Sequence, residues 1–132
     1  MPISIYSHDG EGLSLAYEGD NRVLGLKNYQ KANNIFNLKE MERHLETDEQ
    51  FVLFEGSCLL ISLEDGSVTD FDFIWLKSGV LYSVPKGLWH ATVMTEGTKM
   101  MLAECSGTTF DNSERMTLSN EQLEIIQQYY AC

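Results

Sequence analysis

Two of the three histidines in the chain stand in segments whose neighbouring residues could help them to bind a metal ion. In the first segment, Glu42 and His44 would point to the same side of a strand, because side chains alternate along an extended chain. The polar residues 46–48 can turn the chain, so that Glu49 faces the same way. This segment therefore offers one imidazole and two carboxylates to a common point.

The second segment ends at His90, which opens a predicted strand directly after a turn. Gly79, Pro85 and Gly87 precede it in the sequence, and proline and glycine give such a turn a defined conformation. A rigid turn holds the imidazole in one direction. A metal site needs this rigidity, because its ligands must meet at one point.

Imidazole and carboxylate groups together suit a divalent transition metal such as Zn, Fe, Mn or Ni, with coordination positions left open for water or substrate. His44, Glu49 and His90 could also serve as acids and bases in catalysis. Two other interpretations stay open at this point. Residues 42–49 could form a solvated polar loop, and His90, beside Trp89, could be a core histidine.

The charge of the chain argues against two classes of partner. The 132 residues carry a formal net charge of −11, and such a surface repels nucleic-acid phosphates and anionic membranes. We therefore expect a small-molecule substrate or ligand. The first residues lack a basic start and an apolar core, so no signal peptide is expected. Together with three cysteines that form no close pair, this predicts a cytoplasmic protein with reduced thiols.

The elements that must position these histidines are predicted to be strands. Short apolar or alternating runs recur every roughly 8 to 12 residues between glycine or aspartate turns, which indicates an all-β sandwich or barrel. In residues 67–76, alternation places Phe71, Phe73 and Trp75 on one face. Near the end of the chain, Ser119 and Gln122 fit a capping box and predict a short C-terminal helix. A short helical turn within residues 28–45 is a further hypothesis.

The two histidine segments together resemble the motifs of the cupin superfamily. In the first motif, G-x5-H-x-H-x3,4-E-x6-G, His44, Glu49 and Gly56 take the second histidine, glutamate and last glycine positions, and Glu42 stands in place of the first histidine. The second, G-x5-P-x-G-x2-H-x3-N, is matched at every position except the last, where Met94 replaces asparagine. In metal-binding cupins these positions hold the ion. The resemblance therefore implies a metal site formed by Glu42, His44, Glu49 and His90.

The same resemblance implies a fold, namely a double-stranded β-helix, or jelly-roll barrel. We expect a single cupin domain over residues 1–132, with the barrel at about 13–105 and the helix at about 119–131. Candidate pocket-lining residues on strands near the motifs are Phe51, Tyr82, Trp89 and Met94. The nearest cations for a substrate carboxylate are Arg43 and Lys86.

Residues 41–56 and 82–90 are also similar to the ureidoglycolate lyase branch of the cupins. This similarity implies cleavage of a C–N bond to give glyoxylate and urea, in a small cytoplasmic homodimer. Two alternatives stay open. One is another metal-dependent cupin enzyme, such as a sugar isomerase or epimerase or an iron dioxygenase. The other is a cupin that binds a ligand without catalysis.

Overall fold

The computed structural model describes residues 2–132, apart from the side chain of Phe110, and within them ten strands form two five-stranded antiparallel sheets. In spatial order, the first sheet contains β1 (Gly12–Gly19), β2 (Arg22–Asn28), β9 (Lys99–Cys105), β4 (Glu49–Glu55) and β7 (Leu81–Val84). The second contains β10 (Ser113–Thr117), β3 (Glu40–His44), β8 (Trp89–Met94), β5 (Cys58–Leu63) and β6 (Asp72–Trp75). The predicted all-β jelly-roll fold is confirmed.

The space between the sheets is apolar at one end and polar at the other. Along β4 the inward positions run from Glu49 through Phe51 to Leu53, and along β8 they run from His90 to Met94, because inward side chains recur at every second residue. Leu53 and Met94 belong to one buried apolar cluster. The apolar end closes the barrel, and the polar end is left for the site.

A second core lies on the outer face of the second sheet, beneath the helix α1 (Asn120–Ala131). Leu59 and Ile61 of β5 and Ile126 of the helix are each 0 % exposed. The helix begins with the predicted capping box, in which the hydroxyl of Ser119 accepts a hydrogen bond from the backbone of Gln122. The C-terminal helix thus covers an apolar sheet face that would otherwise meet water.

This second core explains the aromatic stripe of residues 71–75. The ring of Phe73 stacks on Tyr129 of α1 at 3.9 Å, and Trp75 lies 5.5 Å from Tyr130. The stripe therefore faces the helix and not the interior of the barrel. The strand prediction for 67–76 was too long, because β6 covers only Asp72–Trp75 and residues before it form a turn and bend.

The expected end of the barrel needs correction, whereas the short helical turn before β3 is present. The strand β10 lies beyond the predicted end of the barrel at residue 105 and pairs with β3, with Met116 opposite Met41. Its short and charged sequence carries no clear alternation. The short helical turn expected within residues 28–45 is present as two 3-10 turns before β3, Lys31–Asn33 and Ile35–Asn37. Among residues 2–132, no helix has the length and apolar character required to cross a membrane.

Gly56, in the turn between β4 and β5, provides a test of this packing. Its φ is +88°, and a Cβ there would lie 2.6 Å from the Cα of Thr98. We expect Gly56→Ala to lower the free energy of unfolding by about 2 to 4 kcal/mol, because the left-handed backbone and the clash both oppose a side chain. Urea denaturation measures the change.

The matched control is Gly79→Ala, at φ +79° with nothing within 4 Å of the added Cβ. It carries only the backbone penalty, which is about 1 kcal/mol. Equal losses in the two variants would show that the contact with Thr98 does not constrain this turn.

Candidate metal centre

The four residues expected to form the metal site converge at the polar end of the barrel. His44 ends β3, Glu49 begins β4, and Glu42 lies directly opposite His90 in the pairing of β3 with β8. One ligand atom from each lies within 4.8 Å of the others. Strand pairing thus joins two motifs that are about 40 residues apart in sequence.

The carboxylates of Glu42 and Glu49 lie close to the imidazole nitrogens. The Nε2 atom of His90 is 3.1 Å from Oε1 of Glu49, and the Nε2 atom of His44 is 3.4 Å from the same oxygen. Glu42 contributes a carboxylate oxygen 3.8 Å from Nε2 of His44. His44, Glu49 and His90 are all buried, so these charges are shielded from water.

The outer nitrogen of each imidazole is held by a hydrogen bond. Nδ1 of His90 donates to the carbonyl of Leu88 at 3.0 Å, and Nδ1 of His44 is 2.8 Å from the hydroxyl of Ser113. Such outer bonds orient ligand imidazoles and leave Nε2 for the ion. The Nε2 atom of His44 is buried and has no hydrogen-bond partner among the described residues.

An unsatisfied buried nitrogen is costly unless something binds it. Here it faces carboxylates and a second imidazole, which is the donor set that Zn, Fe, Mn and Ni accept. The residues present therefore fit a divalent transition metal, and they could hold one with open positions toward the cavity.

A cavity of about 500 Å³ opens above these four residues. Phe51 lines it, as expected from the sequence. The other three predicted pocket residues, Tyr82, Trp89 and Met94, lie elsewhere. Trp89 is next to the inward His90 in β8 and so points outward, where the guanidinium of Arg43 lies 4.5 Å above its ring.

Tyr82 and Met94 belong to the apolar end of the barrel. The hydroxyl of Tyr82 accepts a hydrogen bond from the backbone of Lys77, and Met94 is 1 % exposed within the core cluster. Met94 shares its face with His90 but lies four residues farther along the strand. The side chain therefore closes the barrel instead of lining the cavity.

The two cations suggested by the sequence also lie outside the cavity. Arg43 pairs with Glu114 at 2.6 Å, and Lys86 is exposed in its turn. The cavity instead contains Lys27 of β2 and Arg115 of β10. The guanidinium of Arg115 is bonded to Glu40 at 2.7 Å.

A further carboxylate beside the site, that of Glu104 of β9, was also missed. Its Oε2 lies 3.8 Å from Nε2 of His44. Burial, together with the neighbouring charge of Glu49, raises the pKa of Glu104 to about 7. Alternation along β9 gave the only sequence signal, since Glu104 shares a face with the buried Met100 and Leu102.

Glu49 and His44 form a charge pair at the centre of the site. Burial alone would raise the pKa of Glu49, but the imidazoles of His44 and His90 beside it outweigh burial and hold that pKa well below its ordinary value. The Glu49 carboxylate in turn raises the pKa of His44. Without a bound ion, this pairing therefore favours a protonated His44 beside an ionised Glu49.

The metal-free protein should lose stability as pH rises from about 5 to about 8. The pKa of Glu104 is raised from 4.5 to about 7, so its contribution is complete below pH 4.5 and is lost as pH rises to about 7. The contribution of His44, whose pKa is also raised, disappears as pH rises through its folded-state value. We expect a decrease in the free energy of unfolding of about 2 kcal/mol, measured by urea denaturation with a chelator present.

Glu49 acts in the opposite direction and limits the stability of the folded chain at acid pH. Its pKa is lowered, so its contribution is present above pH 4.5 and is lost on further acidification. Glu104→Gln is the control variant, because it removes the main group that titrates in this range. An unchanged pH profile in Glu104→Gln would contradict this assignment.

Neither a family model nor a curated protein matches the chain, but solved structures do. A cupin-2 domain protein from Shewanella frigidimarina is 23% identical over 74% of this chain and 84% of its own, with a TM-score of 0.55. A variant of Streptomyces Pac13 with uridine aligns over 90% of this chain and 96% of its own, at 9% identity and a TM-score of 0.62. Pac13 is described as a nucleoside dehydratase.

A structure of Co(II) HppE in complex with Tris also aligns, over 70% of this chain and 51% of its own, at 13% identity and a TM-score of 0.55. At such identities, the similarity concerns the fold alone. The two antiparallel sheets and the predicted motifs agree with it. The chain adopts the cupin fold.

Proposed function

We propose that this chain is a metal-dependent enzyme that acts on a small polar metabolite. The observation that carries the proposal is the convergence of Glu42, His44, Glu49 and His90 below a cavity of about 500 Å³. A cavity of this size suits a small molecule. The orphaned Nε2 of His44 supports a bound ion over a purely structural cluster.

Different residues of the site would bind the ion, transfer the proton and exclude water. The two histidines and Glu42 and Glu49 would hold the ion, which when bound polarises an oxygen of the substrate. Glu104 lies beside them, with its Oε2 3.8 Å from Nε2 of His44, and its carboxylate can accept a proton from the substrate and return it. Phe51 is 2 % exposed and helps to exclude water from this end of the cavity.

The reaction we propose is the cleavage of ureidoglycolate, which the sequence resemblance favours. Glu104 would take the proton of the carbinol hydroxyl, and the oxygen electrons would form the C=O bond of glyoxylate. The C–N bond would break, and its electron pair would leave with the urea nitrogen. That nitrogen would receive the proton from Glu104, so that ureidoglycolate gives one glyoxylate and one urea.

The test begins with metal content, measured by mass spectrometry on untagged protein purified without chelators. About one transition-metal ion per chain supports the proposed site. Absence of metal even after reconstitution would overturn the proposal of a metal-dependent enzyme. Glyoxylate release from ureidoglycolate is then followed with the loaded protein. Metal without glyoxylate release would overturn the lyase assignment, and Glu104→Gln should keep the metal but lose turnover.

A further inference from the structure

One half-buried cation in the cavity wall is not neutralised by a neighbouring acid. Lys27 of β2 is half-buried, and its ammonium donates a hydrogen bond to the hydroxyl of Thr92 at 3.3 Å. Within residues 2–132, it forms no ion pair with a carboxylate. In a chain with 20 acidic residues, an inward-facing lysine without a carboxylate partner is unusual. Its positive charge is therefore available to a ligand.

The side chain of Asn33, which contacts the same residue Thr92 as this cation, carries an unsatisfied acceptor. Nδ2 of Asn33 is 3.4 Å from the carbonyl of Thr92, and because that carbonyl can only accept, the contact fixes which end of the amide is oxygen. Oδ1 of Asn33 is buried and has no hydrogen-bond partner among the described residues. A buried acceptor of this kind calls for a donor from outside the chain.

Both groups lie at a short distance from the metal ligands. Thr92 follows His90 by two residues on β8, so its side chain shares the inward face and lies roughly 7 Å farther along the strand. Lys27, Asn33 and His90 all line the same cavity. A ligand with an oxygen at the metal site and an anionic group near Lys27 needs to be only a few bonds long.

We propose that Lys27 and Asn33 form the subsite for the carboxylate end of the substrate. The ammonium of Lys27 binds the carboxylate, and Oδ1 of Asn33 accepts a hydrogen bond from an adjacent O–H or N–H of the same molecule. This inference rests on the proposed function and deepens it, because it restricts the substrate class to short hydroxy or ureido acids. It also excludes neutral polyols and sugars as substrates, because they carry no carboxylate.

The experiment measures binding of glycolate and of its neutral analogue glycolamide to zinc-loaded protein by calorimetry. Wild type should bind glycolate more tightly than glycolamide. Lys27→Met should retain zinc but bind glycolate about 10- to 100-fold more weakly, the usual effect of losing a charge-assisted hydrogen bond. Its affinity for glycolamide should be nearly unchanged.

Lys39→Met is the matched control, because Lys39 also lines the cavity but is exposed at its rim. It should leave glycolate binding unchanged. Equal glycolate affinity in wild type and Lys27→Met, or an equal loss in Lys39→Met, would overturn the proposal. If Lys27→Met fails to fold, Lys27→Gln replaces it, with circular dichroism as the check on folding.

Failure of the proposed function gives a different result from failure of this inference. Wild type that binds no zinc would refute the metal-dependent enzyme, and the same glycolate titration is then made on the metal-free protein. Weaker glycolate binding by Lys27→Met in that titration would still support the anion subsite. Equal binding by the two proteins would overturn it.

Discussion

Replacing His90 by alanine is expected to weaken the binding of a divalent metal by at least about 100-fold while the chain remains folded. Zinc binding to four protein ligands is worth roughly 10 to 16 kcal/mol, so the loss of one ligand removes several kcal/mol. His90 is one of two imidazoles in the set, and its Nδ1 is already fixed by Leu88.

Metal affinity is measured by competition with a chromophoric chelator, and folding by circular dichroism. His8→Ala is the matched control, because His8 bonds to the backbone of Gly12 and does not line the cavity. This control should bind metal as wild type does. Full metal occupancy in His90→Ala would remove His90 from the site.

Much of this fold could be predicted from local sequence. The strands Cys58–Leu63 and Lys99–Cys105 follow from their own sequences, because continuous or alternating apolar residues end at clear turns. The spacing of the second motif placed His90 correctly at the start of β8. In β10 the charged residues follow no alternating pattern, so pairing with β3 decides its structure and local sequence does not.

The four residues that we propose as metal ligands could be grouped from the sequence because they lie in two compact motifs. Lys27, Glu104 and Arg115 could not, because each lies on a different strand, and only the pairing of distant strands brings them to one cavity. Trp89 was misplaced for a reason that alternation could have revealed. It is adjacent to an inward histidine and must therefore face outward.

The charge of the site would link the binding of a metal ion to the stability of the folded chain. Glu42, Glu49 and Glu104 all lie close to Nε2 of His44, and mutual repulsion contributes to the raised pKa of Glu104. A divalent cation would relieve this repulsion and displace the protons from Glu104 and His44. Metal binding should therefore stabilise the folded chain more at pH 8 than at pH 5, the reverse of the metal-free trend.

Replacing Ile126 by alanine is expected to lower the free energy of unfolding by about 3 kcal/mol, with a decrease in Tm of about 10 °C. Ile126 is 0 % exposed in the core between α1 and the second sheet, where Leu59 and Ile61 are equally buried. Truncation leaves a cavity that rigid strands cannot fill. Thermal unfolding followed by circular dichroism measures the change.

Gln127→Ala is the control on the same helix, because its exposed side chain should change stability by less than about 0.5 kcal/mol. Ile126 lies on the outer side of the second sheet, whereas the metal ligands lie on the inner side. Metal content at 20 °C should therefore be the same in Ile126→Ala as in wild type. A loss of metal with an unchanged Tm would show that the helix supports the site directly instead of stabilising the sheet beneath it.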